Sequence, residues 1–330
     1  MDTASDLLEP GRSALRYLRA HPRVSKAVQL FVLAVVVAFC TWAVRSEWSK
    51  AGDRITHASL PWLLVSLAIV AVYYLVFILG WIRLLAAWGI RVGYRVALEA
   101  EMVSMLAKYI PGGVWTPAAR TVALRKSAGV TDTPTVLASI LVEAALSAVS
   151  GIVVFVLSLA WVHGVNAPLP LLIAFALCCS LLLHPKVFRP LSRRLLRPFG
   201  AAVEPLPFSL MLSLFLFYCV TWVIGGCGLY ALLRAVGANP GLVTIPYLGG
   251  VSAVGAIVAV LAVFAPSGLG VREASMYGLL LAVVDEGPAL SAALLNRLTI
   301  TVVELALFGV GVVSWRAVRS VPPETAEDRP

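Results

Sequence analysis

The sequence predicts an all-α polytopic membrane protein with about eight hydrophobic helices, and three observations predict it. Of 330 residues, 60% are hydrophobic and only 13% are charged, whereas an ordinary soluble domain carries roughly 25% charged residues. Mean hydropathy is +0.91. The neutral runs Arg54 to Arg83, Glu143 to Lys186, Glu204 to Arg234 and Arg234 to Arg272 include several longer than the ~20 residues that span a bilayer. A disordered chain, a secreted disulfide scaffold and a soluble nucleic-acid binder are excluded on these grounds. The net charge of +9 sits in blocks beside apolar segments rather than on a basic stripe with interleaved aromatics, so it orients the chain in a membrane and implies no nucleic acid.

Taken in order, residues 1–26 form a basic cytoplasmic N-terminus with Arg12, Arg16, Arg19, Arg23 and Lys26. The membrane domain, 27–315, begins with an apolar run from Ala27 to Val44. No small-x-small cleavage site follows it, so it is expected to be a retained span. The first repeat half, about 60–162, opens with a span from Leu60 to Trp88. Residues 91 to 131 carry eight charges (Arg91, Arg95, Glu99, Glu101, Lys108, Arg120, Arg125 and Lys126), more than any ordinary span tolerates. Two short helices are expected there, about Tyr94 to Ile110 and Thr116 to Ala128. They are broken by Pro111-Gly112-Gly113, where one residue lacks an N–H and two are conformationally permissive. A long span from Thr133 to Val162 closes this half, and a span from Pro168 to His184 leads to a basic linker, 185–207, placed on the cytoplasmic side. The second half, about 208–315, holds a span from Phe208 to Val236, helices at about Thr244 to Phe264 and Arg272 to Val284, and a last span from Pro288 to Trp315. The tail, 316–330, reads as disordered. With both termini cytoplasmic, the loops near 163–167 and 237–243, which hold no Lys or Arg, fall outside.

Two segments of the chain are alike: Tyr109-Ile-Pro-Gly-Gly-Val-Trp115 with Arg120 downstream, and Phe264-Ala-Pro-Ser-Gly-Leu-Gly-Val-Arg272. Pro111 and Pro266 are 155 positions apart, Glu143 follows the first by 32 residues, and Arg297 follows the second by 31. Pro134 and Pro288 correspond at the starts of the spans that hold these charges. The expected span directions oppose one another, so the halves are candidates for an inverted-topology repeat, an architecture that places a substrate site near the midplane at broken helices. Each breaker has two readings, a surface turn or a broken, re-entrant tip. In the second, the helices starting near Thr116 and Arg272 turn their N–H groups inward, and Arg120 and Arg272 add positive charge suited to a lipid phosphate.

Glu143 lies about ten residues into its span, roughly 15 Å deep at 1.5 Å per residue, and Arg297 is at a similar depth. Ser139, Glu143, Ser147 and Ser150 share one helical face, as do Arg297, Thr301, Glu304 and Gly311. Either these seams line a route, or a Glu143–Arg297 or Arg297–Glu304 pair locks the bundle. Gly225, Gly228, Gly249, Gly250 and Gly255 read as helix-packing positions. The five cysteines lie in apolar stretches with no Cys-x-x-Cys, and the four histidines are scattered, so no metal or other cofactor is expected.

On Pro266-Ser-Gly-Leu-Gly-Val-Arg-Glu-Ala274 followed by Ala293-Leu-Leu-Asn-Arg297, the chain resembles the lysylphosphatidylglycerol synthase transmembrane (flippase-like) family. Pro111-Gly-Gly, Arg120, Gly129 and Val142-Glu143 add a first-half match. There the family usually has Arg after the Glu, and Gly-Glu after the breaker, where this chain has Ala144, Trp115 and Thr116. The resemblance covers about residues 25 to 315. It implies movement of a polar lipid head group between leaflets, with membrane lipids bearing an anionic or polyprenyl-phosphate head group as partners. The substrate-binding set expected on this reading is Arg120, Arg272, Glu143 and Arg297 with the breaker residues Pro111, Gly112, Gly113, Pro266, Ser267, Gly268 and Gly270, and Glu273 beside them.

The short stretch after Trp315 leaves no room for a synthase domain, so the expectation is a protein that is not an enzyme. Without a Gly-x-x-x-x-Gly-Lys-Ser/Thr motif, ATP drive has no support, leaving passive movement or coupling to protons or membrane potential. Two alternatives stand beside the translocase. One is an intramembrane lipid-modifying enzyme using Glu99, Glu101 or Glu273 as base. The other is a non-transporting membrane partner of a glycosyltransferase or synthase, docking through 185–207.

Overall fold

The computed structural model describes residues 54–108, 115–162, 206–262 and 265–319, with positions 170 and 174 between them. The expected span at 27–44, the Pro111-Gly112-Gly113 breaker, the span at 168–184 and nearly all of the basic linker lie outside the described residues. So do the last eleven residues of the tail.

The described helices follow the sequence reading within a few residues. They are α1 (Leu60–Ala87), α2 (Tyr94–Ala107), α3 (Trp115–Ala128), α4 (Thr133–Ser158), α5 (Phe208–Ala235), α6 (Ile245–Leu261), α7 (Val271–Leu280) and α8 (Glu286–Arg319). Their ends have local causes. Proline sits in the first turn of α1, α4 and α6, where its missing N–H has no intrahelical partner to lose. The Asp132 side chain accepts from the Thr135 backbone N–H at 3.2 Å to cap α4. α8 runs through Arg319, four residues into the stretch expected to be disordered.

Five of the described helical stretches are long and apolar enough to cross a membrane: Leu60–Ala87, Thr133–Trp161, Phe208–Ala235, Leu242–Leu261 and Glu286–Val310. The shorter, more polar α2, α3 and α7 pack among them.

α5 is the centre of the bundle and packs on α1, α4, α6 and α8. Its approach to α6 depends on two glycines. A Cβ on Gly226 would come within 2.6 Å of the Gly249 nitrogen, and one on Gly249 would fall against the Trp222 carbonyl. α6 meets α4 in the same way, since a Cβ on Gly250 would lie 2.5 Å from the Phe155 Cα. Within a membrane, helices associate by close packing of this sort rather than by hydrophobic drive. The Ser66 hydroxyl donates to the Gly228 carbonyl at 2.9 Å, joining α1 to α5 across the two halves. Apolar clusters fill the remaining space: Leu229, Leu232, Leu248, Met276 and Ala292 between α5 and α8, and Ile78, Trp81, Ala97, Leu124 and Val136 between α1 and α4. Each half runs long, medium or short, short, long, so α2–α3–α4 and α6–α7–α8 occupy matching places in the helix order.

Candidate functional site

Where the apolar packing is interrupted, the charges gather into three groups. The first surrounds Arg120 on α3. Its Nη1 donates to Glu143 Oε2 at 2.6 Å, and its Nη2 pairs with Glu101 Oε2 on α2. The three side chains are 5%, 4% and 2% exposed respectively. The guanidinium lies over the Trp81 ring, 3.6 Å from its centroid, a favourable cation–π placement in a dry site. Tyr218 of α5 donates to Glu143 Oε1 at 3.2 Å. This arrangement corrects two expectations. Glu143 pairs with Arg120 rather than Arg297, because α3 packs directly on α2 and α4 and carries Arg120 between their carboxylates. Arg120, expected to face a phosphate, is instead enclosed by those two acids.

The seam on α4 is likewise closed. Ser139, Glu143, Ser147 and Ser150 are all buried. Ser139 Oγ accepts from Trp81 Nε1 at 2.8 Å, and the Ser147 carbonyl accepts from Trp222 Nε1 at 2.8 Å. Ser150 donates to the Leu146 carbonyl. The polar face therefore serves helix packing against α1 and α5, where a lined route was one of the two expectations.

The second group joins the halves. Lys108, just beyond the end of α2, pairs with Glu304 of α8, and Tyr74 of α1 donates to the same carboxylate. Glu304 is thus engaged by first-half residues, while Arg297, its expected partner in one of the two pairings considered, reaches elsewhere.

The third group is built on the second breaker. Pro266–Gly268 forms a 3-10 turn in which Ser267 has φ 52 and Gly268 φ 64, and Gly270 follows at φ 83. Gly268 is required twice, by its positive φ and because a Cβ there would strike Ala259. A left-handed serine costs energy and needs outside support. Arg297 of α8 supplies it, donating from Nη1 to the Ser267 carbonyl at 2.9 Å, with Glu273 Oε1 3.6 Å from the same nitrogen. Glu273 Oε2 in turn accepts from the Gly270 backbone N–H at 2.7 Å, capping the start of α7 with negative charge.

Arg272 stands apart from these pairs. Its stem packs toward Gly255 on α6, where a Cβ would come within 3.4 Å of its Cγ. Among the described residues it forms no ion pair with a carboxylate, and its buried Nε has no hydrogen-bond acceptor. Of the expected set, Pro111, Gly112 and Gly113 lie outside the described residues, and the fold separates Arg120–Glu143 from Arg297–Glu273. The three carboxylates considered as bases are each engaged: Glu99 by Ser127 at 3.2 Å, Glu101 by Arg120, and Glu273 by Gly270 and Arg297. Reading the sequence for midplane charge missed Lys108 and Tyr74 as partners of Glu304. Lys108 stands at the edge of the first breaker, which was its one visible signal.

Long apolar helices packed through glycine, with Glu101, Arg120, Glu143 and Glu304 buried among them, define a multi-pass helical membrane protein. The chain belongs to the family described as the lysylphosphatidylglycerol synthase TM region, whose profile matches residues 27–307. No curated protein matches the chain.

Proposed function

We propose that the protein is a lipid translocase of the cytoplasmic membrane, moving an anionic phospholipid or a polyprenyl-phosphate-linked lipid between leaflets. The carrying observation is Arg272. It is a cation beside the N-terminus of a ten-residue helix, next to a strained breaker, with no carboxylate partner among the described residues. A positive side chain left unneutralised in an apolar bundle is costly unless it meets an anion, and a lipid phosphate has the charge and acceptors that a guanidinium matches in a bidentate way. Ser267, Gly268 and Gly270 shape the approach to it, and Arg297 and Glu273 hold that shape. The contact of Lys108 and Tyr74 with Glu304 ties the halves beside it.

The halves are read as an inverted repeat with both termini cytoplasmic. Cysteines placed at Ser127 and Asp285 should label from opposite faces of the membrane, and labelling from one face overturns the inversion. The function is tested by leaflet-resolved labelling of candidate lipids in proteoliposomes. The expected result is faster transbilayer movement of an anionic or polyprenyl-phosphate lipid with the protein than without it. Unchanged rates for every such lipid overturn the reading.

A further inference from the structure

We infer that Glu101 and Glu143 form a proton-binding site, holding one exchangeable proton between them around Arg120. Both carboxylates are almost fully enclosed and share a single guanidinium. Were both ionised, the trio would carry one uncompensated negative charge in a buried site, and like charges so placed do not both ionise.

Among the described residues, Arg120 is the one cation in salt-bridge contact with the pair. α1 presents Trp81 and Tyr73, α5 presents Tyr218, and α4 presents Ser139, which is occupied by Trp81. The next cation, Lys108 at the end of α2, lies against Glu304 of α8, which it neutralises.

Hydrogen bonding distinguishes the two acids. Glu143 receives aligned donors on both oxygens, Arg120 Nη1 at 2.6 Å and Tyr218 at 3.2 Å. Glu101 Oε2 is buried and in contact with Arg120 Nη2, yet accepts no aligned hydrogen bond. The proton, taken from the aqueous phase, belongs to the coupled pair rather than to one residue alone. A buried site that gains and loses one proton is the element by which a membrane protein couples its movement to a proton gradient. The assignment is independent of which solute the protein moves.

The test uses the purified full chain in lipid nanodiscs and infrared spectroscopy. At neutral pH the wild type should show the carbonyl stretch of a protonated carboxylic acid. Glu101→Gln should remove that band with no loss of folded protein, because the amide mimics the neutral acid. Glu143→Gln should also remove it, since the remaining carboxylate then ionises against Arg120. The double substitution strands Arg120 and should lose folded protein. Absence from the wild type of any such band that the single substitutions remove overturns the inference. So does a loss of folded protein in Glu101→Gln as large as in the double variant. Because no lipid movement is read, failure here leaves the translocase reading standing, and unchanged lipid rates leave the proton site standing.

Discussion

The two halves of the bundle place opposite charges on helices at matching places in the helix order. In the first, the short α3 carries the cation Arg120 and the long α4 carries the acid Glu143. In the second, the short α7 carries the acid Glu273 and the long α8 carries the cation Arg297. The first cluster is closed, with an additional acid, Glu101, and contacts at hydrogen-bond distance. The second is looser, its side chains 15% and 12% exposed at a separation of 3.6 Å, and Arg272 beside it has no carboxylate partner among the described residues. The same helix order thus supports an enclosed ionic cluster on one side and, on the other, a cation next to a left-handed turn with no such partner among the described residues.

If the first cluster is a lock, its removal should have the largest effect on the folded state. Arg120→Met leaves two buried carboxylates without their partner, and breaking a buried pair in this way costs about 3–5 kcal/mol. Thermal unfolding in detergent should show a large drop or no folded fraction. A stable Arg120→Met would mean that the first half is as open as the second.

Next in size is packing. Gly249→Ala pushes a methyl against the Trp222 carbonyl, a backbone obstacle that cannot rotate away. Overpacking of this kind costs about 1–3 kcal/mol. Because α5 contacts both halves, the loss should appear as a single lowered unfolding midpoint.

A smaller effect sharpens the comparison. Glu143 and Arg297 share no partner among the contacts described, so the stability changes of Glu143→Gln and Arg297→Gln should add to within about 0.5 kcal/mol. A larger interaction energy in the double-mutant cycle would join the two clusters into one unit.

The smallest effect on folding should come from Arg272→Gln, which breaks no ion pair among those described, while lipid movement in proteoliposomes falls sharply. Arg125→Gln, near the C-terminal end of α3, is the control and should leave the rate near that of the wild type. Equal losses of activity in both variants would deny Arg272 a special role.

Much of this architecture was legible along the chain. Helix ends at Pro61, Pro134 and Pro246 are local effects of a fixed φ and a missing N–H. Gly268 and Gly270 mark a break because backbone conformation depends on the residue itself, and apolar length reports spanning because every backbone group must be satisfied inside the membrane.

Partner choice among the charges was not legible in this way. Glu143 and Arg297 follow Pro111 and Pro266 by 32 and 31 residues, which made them natural partners on a linear reading. Glu143 instead meets Arg120, 23 residues away, because α3 folds back between α2 and α4. Glu304 meets Lys108, 196 residues away, because α8 packs on α2. Composition and local backbone chemistry determine which helices form and where they stop. Which side chains share a buried site depends on how those helices cross, and on the glycines that set how closely they approach.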